Sequence, residues 1–268
     1  MSEFSNIVRE MADGTLDGVS EGVIIAMSVV VGLLIIASIF AFGISIYLSI
    51  SYVRYNKKQN SCGKTGEQIA RNILDHHELG HIKVSKTGSI MFGNSYSHYF
   101  KKVRLRRLTW QKRSVTSLAM AAQKSALAVL DKENDAEMRT RVRLTPFIYF
   151  GPIAFVPMVV IGVLLDVLLS TGFCGILFTV LGLAFYLLSF VMSILVLKTE
   201  KKAQKRAYEM MKEEGLATEE ELESCKKLFR LYNIEYINDM VIALLELIYR
   251  VLQIIAYVQN SSSSSSKE

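Results

Sequence analysis

Arg113–Leu130 reads RSVTSLAMAAQKSALAVL, and the rest of the chain is organised around it. The stretch holds no Gly or Pro and is rich in Ala and Leu, residues that cost little in a helix. Val115, Leu118, Ala119, Ala122, Ala126, Leu127 and Val129 fit one helical apolar stripe. The expectation is a packed helix with AAQKSALA at its centre.

Outward from that helix, the chain alternates apolar runs with charged segments. Residues 1–22 carry five acids against one base, and an apolar stretch over 23–53 follows. That run exceeds the roughly 20 residues needed to cross a bilayer. Its acidic start and its length argue for a retained helix over a cleaved leader. Residues 54–146 hold 19 Lys/Arg against 7 Asp/Glu. The positive-inside rule assigns them to the cytoplasm, and 1–22 to the other side.

Two more apolar runs lie within 147–197, joined by Ser170-Thr171-Gly172. So short a gap predicts a transmembrane hairpin. Residues 198–235 carry nine bases and nine acids, and read as cytoplasmic helices. Gly215 should end the first of them. Thr218 opens the next, with Glu221 completing a capping box. Residues 236–258 read as a fourth span despite Asp239, Glu246 and Arg250. A helix lying on the membrane surface is the rival reading of that segment. The Ser-rich tail, 259–268, reads as disordered. Between the first span and the central helix, Gly66–Asp75 predicts a short helix. The alternation in HIKVSK and KVRLRRL predicts two strands, with turns at Gly88 and Gly93. The fold class is thus mainly α, integral membrane, with four transmembrane helices and a small α+β cytoplasmic region.

Several segments then match one known pattern in order. TGEQIARNILD, SHYFKKVRLRRL, RSVTSLAMAA, TEKKAQKRA and ATEEELESCKKLF resemble successive segments of the bacterial membrane-embedded neutral zinc metallopeptidases. The resemblance covers roughly residues 65–255. His98 and Tyr99 match the family's His-Tyr-Asp-Pro, though the Asp-Pro pair is absent. Glu200, Ala203, Arg206 and Ala207 match a later segment. In that family the central helix reads AAHEVGHA. The resemblance implies zinc held by the two histidines and a third ligand, with the glutamate as base. Gln123 and Leu127 stand at the histidine positions, Lys124 at the glutamate position, and Glu200 at the natural third-ligand position.

Those replacements remove the chemistry. Two histidines four apart on a helix share a face and reach one zinc, whose water the glutamate polarises. Gln123 is a poor ligand, Leu127 is none, and Lys124 is a cation that repels the metal. No catalytic residue, metal or cofactor is therefore expected at Gln123, Lys124 and Leu127. A sharper expectation is that the Lys124 ammonium pairs with Glu200 where the zinc charge would sit. An unpaired buried carboxylate would otherwise be costly. The bland alternative is an ordinary packed helix with Lys124 reaching water.

A His-Glu-x-x-His does occur elsewhere, as His77, Glu78 and His81. By itself it spells a zinc peptidase, with Glu78 as base and His77, His81 and Glu200 as ligands. Its context argues otherwise. Gly80 and the strand-like HIKVSK interrupt any helix before His81, so the two histidines would not share a helix face.

Other features read as structural. Cys62, Cys174 and Cys225 meet no metal or disulfide spacing. The basic stretch Lys101–Arg113 suits a cytoplasmic membrane surface better than nucleic acid. Gly63-Lys64-Thr65 lacks the first glycine of a phosphate loop. The sequence therefore predicts a multi-pass cell-membrane protein, most of whose polar part is cytoplasmic. Its partners are the lipid bilayer and a membrane protein or polypeptide, with no nucleic acid. The leading function is a pseudo-peptidase that binds without cleaving. The alternatives are an active zinc enzyme through His77, Glu78 and His81, and a structural or assembly subunit.

Overall fold

The computed structural model describes residues 19–88, 93–148, 150–169 and 174–265. Most of the acidic leader, the turn between Gly88 and Gly93 and the hairpin tip lie outside them. The chain divides into two compact units. One pairs the residues up to Phe40 with those from Val241 onward, and the other is Ala41–Met240.

Helix α1, Glu21–Lys57, is one uninterrupted rod with Glu21 in its first turn and Arg54 and Lys57 in its last. That polarity suits the helix dipole. Its apolar side chains are uncovered: Ile36 is 65% exposed, Ile39 68% and Phe42 70%. Near its start the Ser20 amide donates to the Gln259 side-chain oxygen at 2.9 Å.

The larger unit begins with α2, Gly66–His76. Thr65 and Gln68 cap it reciprocally, each side chain accepting from the other's backbone N–H. A Cβ on Gly66 would lie 2.0 Å from the Thr109 carbonyl oxygen, so only glycine permits this approach. Strands β1 (Lys83–Thr87), β2 (Ser95–Ser97) and β3 (Lys102–Arg106) form a sheet with β3 in the middle. β1 pairs with β3 in parallel, Val84 opposite Val103, and β2 pairs with it antiparallel, Tyr96 opposite Val103. Both predicted strands are present, and β2 is an addition. Arg107–Gln111 leaves the strand pattern as a short helix, α3.

Helix α4, Val115–Lys132, is buried over Val115–Leu130, on every face. The apolar stripe read from the sequence understates this. α4 packs against both α2 and α7, and Ala119, Ala122 and Ala126 are among its fully buried small residues. Helices α5 (Ala136–Ile148) and α6 (Phe150–Leu169, with Pro157 inside) follow, and then α7, Cys174–Glu213. α5 and α6 both pack on α7. Gly215, at φ +62°, closes α7 with a backbone that β-carbon residues resist.

Helix α8, Glu219–Ser265, opens with the predicted box: Glu221 N donates to Thr218 Oγ1, and Thr218 N to Glu221 Oε2. The Glu221 carboxylate also accepts from the Ser61 amide at 2.6 Å, tying α8 to the α1–α2 loop.

Three expectations are corrected. Among the described residues two helices, not four, are long and apolar enough to cross a membrane: Glu21–Lys57 and Leu177–Glu213. α6 contributes a shorter apolar helix, Val160–Leu169. The proposed fourth span is part of α8, where Asp239, Glu246 and Arg250 dilute its apolar character. Second, no break separates residues 147–197 from 198–235 along α7, nor 198–235 from 236–258 along α8. No Gly or Pro falls at either point, so each helix simply propagates. Third, the tail is helical as far as Ser265. Adding serines to an existing helix avoids the nucleation that makes isolated serine runs disordered.

Candidate functional site

The centre of the larger unit is a carboxylate. Glu200 projects from α7 just past the last apolar turn, which ends at Leu197, and its side chain is 2% exposed. It meets α4 at the positions singled out in the sequence. Gln123 Nε2 and Lys124 Nζ each donate to Glu200 Oε2 at 2.8 Å. Arg141, from α5, donates to Glu200 Oε1 at 3.0 Å and to Thr199 Oγ1 at 2.7 Å. Leu127, one turn along α4, is fully packed.

Such a site is stable only because it is complete. Burial alone would push the Glu200 carboxyl upward; Lys124 and Arg141 more than offset this and hold it below its ordinary value. The two cations leave one positive charge in excess. Zinc does not fit here. The ammonium has no lone pair, Leu127 has no donor atom, the amide is a weak ligand, and both Glu200 oxygens already accept hydrogen bonds. The expected Lys124–Glu200 pair is thus present in the structure, with Lys124 buried and turned away from water. Arg141 was not anticipated. It sits in a run of bases that gives no sign which of them turns inward.

Local chain geometry fixes this helix. Ser114 caps α4 by accepting from Ser117 N at 3.1 Å, and donates to Asn56 Oδ1 of α1 at 2.8 Å. A β-bridge joins Gln59 to Ser114. The end of α1 is therefore stitched to the start of α4.

Beside Gln123 and Lys124 opens a cleft of about 540 Å³. Tyr52 from α1, Arg106 from the end of β3, Met120 from α4, and Tyr232 and Glu235 from α8 line it. Asn94, just before β2, reaches its rim and accepts from the Arg106 amide at 2.7 Å.

The second motif is dispersed. α2 stops at His76, and Glu78 adopts φ +58°. Glu78 is exposed and accepts from Lys132 Nζ at 2.9 Å. His77 faces Glu214, whereas His81 lines a different cavity with His98 and Asp131. His77, His81 and Glu200 are not gathered at one point. The cluster with ligand spacing among the described residues is His76, His77 and Glu214, a combination the sequence did not suggest. Burial lowers the His77 pKa, with Glu214 opposing.

His98 has its own partner. His98 Nδ1 and Tyr96 Oη each lie 2.6 Å from Asp131 Oδ2 at the end of α4. Tyr99 Oη donates to the Val142 carbonyl at 3.0 Å. Matching residues thus clamp the β2–β3 turn to α4 and α5. Cys225 is buried and its thiol is pushed up to about 12 by burial, so it is an inert core group.

Comparison with known proteins gives one consistent result. Residues 30–255 match the family described as "Putative neutral zinc metallopeptidase". The chain is 24% identical over 224 residues to the "Putative membrane protease YugP" of Bacillus subtilis (strain 168), covering 82% of this chain and 96% of that relative. No solved structure matches.

Proposed function

Because this chain belongs to the neutral zinc metallopeptidase family, we propose that it is a member that has exchanged catalysis for binding: a membrane pseudo-peptidase holding a polypeptide segment in the cleft beside α4. The observation that carries the reading is Lys124 Nζ at 2.8 Å from Glu200 Oε2. A fixed cation occupies the position where the family resemblance implies a metal, and it holds the remaining carboxylate in place. Bond cleavage needs a metal-activated water, whereas gripping a chain needs only shape and hydrogen bonds.

The cleft has the features for that. It offers aromatic faces from Tyr52 and Tyr232 and charged groups of both signs in Arg106 and Glu235. Next to it β2 pairs with a strand on one side only, among the described residues. An extended segment can add to such an edge. The walls are the continuations of α1 and α8, which favours a segment lying close to a bilayer. α1 and α7 cross the membrane, and α6, packed on α7, makes the hairpin's other arm. The basic excess of 54–146 puts the larger unit's polar part in the cytoplasm.

The test uses the full chain in detergent with casein as an unfolded probe. The expected result is casein binding without zinc- or chelator-dependent cleavage, weakened when Met120→Trp fills the cleft. Zinc-dependent cleavage abolished by Glu200→Gln overturns the reading.

A further inference from the structure

We propose that His76, His77 and Glu214 form a site for a zinc-type divalent ion, joining the end of α2 to the end of α7 away from the Glu200 centre. Three observations carry it. The first is spacing. His76 Nδ1 lies 3.4 Å and His77 Nε2 3.7 Å from the same oxygen, Glu214 Oε1, and all three atoms lie within 4.8 Å of one another. A tetrahedral zinc with bonds of about 2.0–2.2 Å separates its ligand atoms by roughly 3.4 Å. Small side-chain adjustments bring all three onto one ion.

The second is an orphan. The Glu214 side chain is only 7% exposed, yet Oε1 has no hydrogen-bond donor. A buried carboxylate oxygen without a donor is costly unless something else satisfies it. It faces two imidazoles, and neutral imidazole and carboxylate are together a natural zinc donor set.

The third is support behind the ligand. Asn72 Nδ2 donates to Glu214 Oε2 at 3.1 Å, and Lys64 Nζ donates to Asn72 Oδ1 at 3.1 Å. One oxygen is thereby oriented and the other left free, the arrangement expected around a ligating carboxylate. Two cations lie nearby: Arg206, whose charge is offset by Glu133 at 3.0 Å and Glu209 at 3.8 Å, and Lys132, which donates to the His77 carbonyl at 2.8 Å and is paired with Glu78 at 2.9 Å. His76, 68% exposed, leaves the ion open to water on one side. Glu78, the acid of the sequence motif, pairs with Lys132. The ion's role is to staple two helix ends.

The test strips the full-length chain with a chelator, then titrates zinc by calorimetry and cobalt by its visible absorption. The expected result is one ion per chain, a tetrahedral cobalt spectrum and a raised melting temperature. Affinity falls at least tenfold in His76→Ala, His77→Ala and Glu214→Gln, and is unchanged in His81→Ala. Circular dichroism of the metal-free variants controls for folding, and exposed His76 can be removed without disturbing the core. No uptake by the stripped wild type, or uptake lost in His81→Ala but kept in His77→Ala, overturns the proposal. Zinc here without casein cleavage leaves the pseudo-peptidase reading intact; zinc-dependent cleavage defeats that reading whether or not this site binds.

Discussion

Glu200 and Glu214 lie about four helical turns apart, within α7 and just past its end, and both side chains are buried. Their surroundings are opposite. Glu200 is saturated: an ammonium, a guanidinium and an amide fill both its oxygens. Glu214 is half satisfied, with one oxygen on Asn72 and the other facing two histidines. The difference shows how one buried acid can be closed by cations of the neighbouring helices while another nearby keeps an oxygen open. A buried carboxylate must be charge-compensated by something, and a lysine built into the neighbouring helix does so permanently. The unsaturated carboxylate is the one left open to an ion.

The contrast breaks most visibly at Glu200. Glu200→Ala leaves Lys124 buried without its counter-charge, and should cost about 3–5 kcal/mol, read from denaturant unfolding in detergent. A loss below about 1 kcal/mol would mean that Lys124 simply swings to water. Lys124→Met is a smaller insult, roughly 1–3 kcal/mol, because Arg141 and Gln123 still hold the carboxylate. A loss equal to that of Glu200→Ala would show that Arg141 contributes nothing.

Acid sharpens the same contrast. The folded Glu200 pKa is depressed, so its contribution is fully present above the unfolded value of about 4.3 and is lost as pH falls through the lower folded value. The slope from this group cannot exceed about 1.4 kcal/mol per pH unit. Unfolding measured from pH 6 downward should steepen below about 4.3, and Glu200→Gln should flatten that limb. An unchanged acid limb in the variant would assign it to other carboxylates. The smallest effect is at Glu214. In metal-free protein Glu214→Gln should shift stability by less than about 1 kcal/mol, since it retains a partner for Asn72 and removes an unsatisfied oxygen. A loss as large as that at Glu200 would make Glu214 a structural anchor.

Much of this was legible beforehand for identifiable reasons. The capping box at Thr218 and Glu221 and the end at Gly215 are local chemistry, fixed within a few residues. The strands Lys83–Thr87 and Lys102–Arg106 announce themselves by alternation. The Lys124–Glu200 pair was readable because a lysine inside an apolar helix needs a counter-charge, and the resemblance supplied the opposite carboxylate. Arg141 was not readable, since nothing distinguishes it from Arg139 or Arg143 until α5 is folded against α7. The four spans were over-read because the length of the last run was weighed above Asp239, Glu246 and Arg250, which dilute its apolar character within α8.

The sequence by itself determined the central helix, the two strands Lys83–Thr87 and Lys102–Arg106, the helix end at Gly215 and the capping box at Thr218 and Glu221, and which donor atoms positions 123, 124 and 127 carry. These follow from short-range propensity and from the donor atoms present. Tertiary structure decided that His77 meets His76 and Glu214, with His81 lining another cavity, and that one carboxylate is sealed and the other left open. Those outcomes depend on which helix ends are brought together across more than a hundred residues, and no local rule contains that information.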